Sequence, residues 1–305
     1  MGHKVWNDPF AALTDWAFDD MLRRHPFQME SELSANPITL EQLYRFPVKG
    51  LSAEPLEAVD LTAGEGMPGD RLFGFARYNS GFDPDNPRPL PKENFVVLLN
   101  EAALAGLQTS FDAATRSLTI AAGGQNRKFD MRDKFEREEA ASFLSRLLNL
   151  SDAQPPQFVS SAPHRFTDVS VISPAMMNAI SVLNLASVRA FEKLTGARVH
   201  SGRFRANMVI DGLPPFSELD AVGSLLSIGD LQFRIISRTK RCAATEVNPE
   251  TADRDLKVPY LLRKYLGHMD MGVYVEVVAG GHLSKGDAGQ MENISEWDGS
   301  RGPVR

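Results

Sequence analysis

From residue 38 onward, glycine and proline cut the chain into short strand-like runs, and that punctuation restricts its fold more than any other feature. Residues 38–46 read as a strand that ends in the bend Pro47-Val48-Lys49-Gly50. There proline fixes one dihedral and glycine frees another. Residues 56–61 alternate strongly, Gly64 to Gly69 form a turn, and residues 72–77 read as the next strand. Strands are expected again at 95–99 and 117–120. Between them, Pro84, Pro87, Pro89 and Pro91 make residues 80–93 a loop, because proline lacks the ladder donor. Many short strands with frequent turns predict a barrel or sandwich.

Helices punctuate the rest. Residues 133–150 carry Ala140, Phe143, Leu144, Leu147 and Leu148 on one helical face. Residues 151–165 hold Pro155, Pro156 and Pro163 and read as a linker between two halves. A strand at 166–172 should open the second half. Ser173-Pro174 then signals a helix start, with serine as cap and proline at the first helical position. A further helix is expected from Ser187 to a C-cap at Gly196. Strands at 208–210 and 272–278, a hairpin turning at Gly229-Asp230, a helix over 257–267 and a turn at Gly286-Asp287 complete the pattern. The fold class expected is mainly β with α (α+β): an N-terminal β-barrel-like domain plus a C-terminal β-barrel with flanking helices. The domain reading is an extension at 1–37, a first domain at 38–150, the linker, a second domain at 166–290 and a polar tail at 291–305. Within the extension, Phe10, Leu13, Trp16, Ala17 and Met21 suggest a short amphipathic helix.

Composition narrows the function. With 43% hydrophobic and 24% charged residues the chain is ordinary globular material. A net charge of -6 disfavours a general nucleic-acid or acidic-membrane binder. An anionic ligand would therefore need a local basic pocket. The one cysteine, Cys242, excludes an intrachain disulfide, a cysteine-ligated iron–sulfur cluster and a multi-cysteine zinc site. No apolar run is long enough to span a bilayer and no secretory signal is evident, so a cytoplasmic location is expected.

Cys242 closes the run Arg238-Thr239-Lys240-Arg241-Cys242. Positive charge beside a thiol favours the thiolate, which binds soft metals and attacks electrophiles. A buried structural cysteine is the plainer reading of a lone thiol, but desolvating three cations beside it would be costly. Lys49, Arg71, Ser173, Arg203, Arg205, Asn207, Arg238 and Arg241 sit, like Cys242, at expected strand ends and helix starts. Brought together, they would form a cationic socket with one sulfur, suited to a phosphate-bearing ligand with a soft metal.

The motifs Pro47-Val48-Lys49-Gly50 and Gly69-Asp70-Arg71 resemble the N-terminal β-barrel domain that accompanies MOSC domains. Phe204-Arg205-Ala206-Asn207, Arg241-Cys242 and Asn248-Pro249-Glu250-Thr251 resemble the MOSC domain itself. The pairing of the halves is similar to the mitochondrial amidoxime-reducing component family and its bacterial relatives. That resemblance implies a molybdenum cofactor (molybdenum with molybdopterin) with Cys242 as the metal's protein ligand. It implies that Lys49, Arg71, Ser173, Arg205, Asn207, Arg238 and Arg241 contact the pterin and its phosphate, and that N-hydroxylated substrates such as amidoximes and hydroxylamines are reduced. Asp168 would orient a basic residue or relay a proton. Electrons would come from a separate donor, a ferredoxin, a cytochrome b5-like protein or a flavin reductase. The alternative is a sulfur or cofactor carrier using Cys242 without turnover. A link to pyridoxal phosphate ranks low, since no Schiff-base lysine stands in a phosphate-cup motif. Gly50 stands where the family often has Ser, which removes one hydroxyl contact, and Ala206 replaces the usual Pro.

Overall fold

A computed structural model describes residues 37–151 and 153–292. The amphipathic pattern near residues 10–21 and the tail beyond residue 292 lie outside the described residues. Among the described residues fifteen strands run in chain order: β1 (Ile38–Arg45), β2 (Glu54–Leu56), β3 (Ala58–Leu61), β4 (Phe73–Ala76), β5 (Gln108–Asp112), β6 (Ser117–Ala122), β7 (Gln125–Asp130), β8 (Gln157–Ser160), β9 (Ile180–Asn184), β10 (Met208–Asp211), β11 (Leu225–Ile228), β12 (Leu231–Lys240), β13 (Asp270–Ala279), β14 (Gly281–Ser284) and β15 (Ala288–Glu292). The α-helices among the same residues are α1 (Lys134–Leu147), α2 (Pro174–Met177), α3 (Leu185–Thr195), α4 (Ser217–Asp220) and α5 (Val258–Leu266).

Seven of these strands close a barrel. The order β10-β9-β13-β12-β11-β15-β1 returns on itself because β1 also pairs with β10. Every pairing in the ring is antiparallel except β10 with β9. That parallel pair needs a crossover, which α3 supplies. Because the helix covers its outer side, β9 is buried along its whole length, as strands covered on both faces must be. Leu40, Leu43, Val182, Met208, Ile210, Phe233, Ile235, Val273 and Val275 pack together in the barrel's core. Leu183, Val209 and Met271 pack instead with Phe191 of α3 and Leu262 of α5. Asn184 caps α3 by accepting from Ala186 N at 3.1 Å, and Gly196 ends it at φ 68.

Of the first half's other strands, β2 pairs with β1 at the edge of the barrel sheet, and the rest form small sheets: β5-β6-β7, β4-β8, and β3 with β14. The closed ring is thus the second half's, with β1 lent to it from the first. Phe75, Phe111, Phe129, Phe143 and Leu144 build the first half's own core under α1, whose cap Asp133 accepts from Glu136 N at 2.9 Å.

Three expectations are corrected. Residues 151–165 are not a bare linker, since β8 lies within them and pairs with β4. Residues 166–172 are turns rather than a strand, because Phe166 is buried as an anchor while Val171 and Ile172 stand exposed. Residues 95–99 form an isolated bridge at Phe95 to Ala76 and then a turn. Phe95, Val96 and Val97 are buried there without a partner strand on both sides.

Candidate active site

A cleft of about 400 Å³ gathers chain segments far apart in sequence. The bend after β1 brings Lys49 and Gly50. A turn before β4 brings Arg71, and the 3-10 turn Lys92–Asn94 at the end of the proline-rich loop brings Lys92. The turns after Phe166 bring Asp168; the 3-10 turn Ser201–Phe204 and its cap bring Arg203 and Arg205. The end of β12 brings Arg238, Lys240, Arg241 and Cys242. Eight cationic side chains line the cleft against one carboxylate, Asp168. In a chain whose net charge is -6, that is a strong local reversal of sign.

Eight of the nine residues expected at the site are on its walls. Ser173 is not: it caps α2, accepting from Met176 N at 3.1 Å. Three others reach the cleft already occupied by the protein. The Asn207 carboxamide accepts from Ser181 Oγ at 2.8 Å and donates to Asp70 Oδ1 at 3.0 Å and Tyr44 O at 3.2 Å. It is a buried brace between β1, β9 and β10. Arg241 donates to Phe204 O at 3.0 Å and twice to Met271 O, from Nε at 2.7 Å and from Nη2. Burial lowers its pKa to about 10. Arg238 turns its guanidinium to Leu219 O and to Asp220, each at 2.6 Å.

The floor is different. Lys49, only 4% exposed, donates to Phe166 O at 2.9 Å and forms an ion pair with Asp168. Burial lowers its pKa; Asp168 opposes this, while Arg71 and Lys92 add to it. Lys92 Nζ lies 3.7 Å from the other Asp168 oxygen. Burial pushes the Asp168 carboxyl up, but Lys49, Lys92 and Arg71 outweigh that and hold it far below the usual carboxylate range. Its side chain keeps 47% of its surface open to the cleft, so solvent tempers both effects.

Arg71 and Arg205 share one ring. Their guanidinium carbons lie 4.5 and 4.3 Å from the Phe46 centroid, within cation–π range. Both residues are left-handed, at φ 50 and φ 49, a region that non-glycine residues rarely occupy. Arg71 is pinned by its N–H to Phe46 O and by its own carbonyl accepting from Phe166 N, each at 2.7 Å. It also pairs with Asp70 at 2.5 Å. Among the described residues Arg205 has no carboxylate: its one hydrogen bond runs from Nη2 to Leu51 O at 2.7 Å. Burial, reinforced by Arg71, lowers its pKa to about 9. A guanidinium offers five N–H donors, so most of Arg205 is left to a ligand.

Cys242, partly exposed, follows β12 at the start of a 3-10 turn. Its carbonyl accepts from Thr245 N at 3.0 Å and Thr245 Oγ1 at 2.8 Å, which leaves the sulfur to the cleft. Lys92 is drawn to it: burial lowers the Lys92 pKa, but attraction to Asp168 and then to Cys242 prevails and raises it. Apolar Val97, Leu98, Leu99, Val169 and Ile172 also line the cleft.

The cleft fits a metal-bearing anionic cofactor. Among the described residues no group of three or more His, Cys, Asp or Glu could hold a metal. A metal held through the single sulfur of Cys242 would therefore need its remaining donors from a cofactor. Two buried polar atoms on the lining residues, Arg203 Nε and Thr239 Oγ1, lack any partner, a condition that a polar ligand would relieve. Gly50 explains the missing serine. At φ +85 a Cβ would stand 2.4 Å from Val96 O, so this backbone excludes a side chain there. Sequence reasoning left out Lys92 and Tyr274, which also line the cleft. Lys92 is the one lysine ending the proline-rich loop, a weak signal; Tyr274 is hidden in the regular alternation of β13.

No helix among the described residues is long and apolar enough to cross a membrane. In solved structures the chain is similar to YuaD from Bacillus subtilis (14% identity, 84% of this chain and 96% of that one, TM-score 0.39). It is also similar to YiiM from Geobacillus stearothermophilus (18% identity, 38% and 55%, TM-score 0.30). Among curated proteins it is similar to the molybdenum cofactor sulfurases of Caenorhabditis elegans (35% identical over 98 residues) and Drosophila mojavensis (28% over 139). The matches take in 31% and 45% of this chain but only 14% and 18% of those proteins, so the chain spans less than a fifth of their length. Residues 164–289 match the family described as MOSC domain. That stretch, about two fifths of the chain, carries Cys242, Arg205, five of the seven barrel strands and the first two residues of a sixth, β15, and it is similar to MOSC domains.

Proposed function

We propose that the cleft holds a molybdenum cofactor, with Cys242 as the metal's protein ligand, and that the chain reduces N-hydroxylated substrates. The observation that carries the reading is the joint placement of an accessible sulfur and a nearly unpartnered arginine, Arg205, in one cation-lined cleft. When bound, such a cofactor supplies two-electron oxygen-atom transfer. Overall, an N–OH group, two electrons and two protons give N–H and water; the electrons come from a separate protein donor such as a ferredoxin, a cytochrome b5-like protein or a flavin reductase.

Each side chain then has a task. Arg205, with Arg71 beside it on Phe46, would hold the pterin phosphate through charge-assisted hydrogen bonds. Lys92 would hold negative charge near the sulfur. Asp168, kept ionised by three cations, is a poor acid near neutral pH and orients Lys49 and Lys92 instead. The apolar residues beside the cleft would receive the substrate's organic body. Arg241 and Asn207 act as framework, since their polar atoms are engaged within the protein, and Arg238 is turned to Leu219 O and Asp220.

Expression in a host that makes the cofactor, followed by molybdenum and pterin analysis, tests the reading. About one molybdenum per chain, lost in Cys242→Ala, is expected; a metal-free native chain from that host would refute it. A second reading draws on the relatives named molybdenum cofactor sulfurase: Cys242 would carry sulfur or hold the cofactor for delivery. A persulfide trapped on Cys242, or tightly held cofactor without turnover of benzamidoxime, would favour it.

A further inference from the structure

A second cavity of about 440 Å³ adjoins the first, and Gly50, Leu98, Arg203, Arg205 and Ala244 line both. Apart from that partition its walls are mostly apolar, with Phe46, Leu51, Leu104, Leu107 and Val209 prominent. Three polar side chains on those walls, Ser52, Tyr44 and His200, are engaged within the protein. Ser52 Oγ donates to Leu107 O at 2.9 Å and accepts from Thr109 N at 3.0 Å. Tyr44 Oη donates to Gln42 at 3.0 Å, and His200 Nδ1 accepts from Gly202 N at 2.9 Å.

The partition is what remains unsatisfied. Arg203 is 4% exposed and donates to Glu246 O at 2.9 Å and Asp255 at 2.6 Å, yet its buried Nε has no partner. Arg205 makes one hydrogen bond, to Leu51 O. The one carboxylate on the lining is Glu250, which is exposed. A neutral hydrocarbon would fill the chamber but leave buried donors dry and unpaired. A phosphate ester, with up to two negative charges, would exceed the one guanidinium that no carboxylate already pairs, Arg205, because Asp255 pairs Arg203. A ligand with one negative charge and an apolar body meets both demands, and the Phe46 and Tyr44 rings favour a flat one.

We infer that this chamber is a binding site for a small aromatic carboxylate. The carboxylate lies against Arg203 and Arg205, and the ring packs on Phe46, Leu104 and Leu107. The chamber shares Arg203 and Arg205 with the sulfur-bearing cleft, and in the chain without cofactor Arg205 is left to the carboxylate.

The test is calorimetric titration of the full chain, prepared without molybdenum cofactor, with 2-naphthoate. One site is expected, with the neutral 2-naphthamide at least about tenfold weaker, as loss of a charge-assisted hydrogen bond requires. Ala105→Trp and the more exposed Ala53→Trp, both confined to the chamber, should abolish binding. Ile172→Trp, confined to the cleft, should leave it intact. Equal binding of the amide, binding that survives both chamber variants, loss in Ile172→Trp alone, or no binding to the folded native chain would each overturn the proposal.

Discussion

The wall of the cleft at the end of β12 and the floor around Phe46 are both rich in arginine, and they use it in opposite ways. On the wall, Arg241 spends three hydrogen bonds on two carbonyls and Arg238 is claimed by Asp220. On the floor, Arg205 spends one. Burial depresses both Arg205 and Arg241, so lining a cleft and losing a proton more easily do not distinguish them. Hydrogen-bond accounting does. A cation whose donors are consumed holds the protein together, whereas one whose donors are idle waits for a ligand.

That contrast can be broken by substitution. The largest effect should come from the sulfur that the wall presents: Cys242→Ala should lower molybdenum-dependent turnover by more than about a hundredfold while the melting temperature holds. Arg241→Ala should cost about 3 kcal/mol in urea unfolding, because it strands buried carbonyls. Arg205→Ala should cost less than about 1 kcal/mol by the same measurement but weaken pterin retention about tenfold or more. Equal destabilisation by the two would erase the distinction. Asp168 gives a smaller, pH-dependent signature. Its folded pKa is depressed, so its contribution is present above its unfolded value of about 3.9 and is lost as pH falls below that. With half of the side chain open to solvent, Asp168→Asn should cost about 1 kcal/mol at neutral pH and flatten the acid limb of the stability profile. Arg238→Ala should change stability by less than about 0.5 kcal/mol, as its partner is a surface carboxylate, and should leave cofactor retention unchanged.

What could be read from the sequence follows from where information is local. The Ser173-Pro174 start, the Gly196 cap and the Gly229-Asp230 hairpin are written in adjacent residues, and the structure has all three. β7 was missed because Gln125–Lys128 are polar and exposed on both faces. β9 was missed because it is buried on both faces and shows no alternation. At the site, eight of the nine candidates line one cleft, a convergence that spacing alone could not show. Charge and spacing do not separate Arg205 from Arg241, since that depends on which carbonyls the fold happens to bring near. Nor does local pattern show that Asn207 would be fully engaged by Ser181, Asp70 and Tyr44, residues 26, 137 and 163 positions away.

The seam that closes the barrel has a consequence for biosynthesis. β1 hydrogen-bonds to Met208–Asp211 and to Ala288 and Gly289, so a stave made early must wait for partners translated much later. Lys49 and Phe46 hang from the end of that stave, and the sulfur from a strand in between. The barrel is therefore complete only once β15 has been made, and the bend that carries Lys49 is held in its final place no earlier.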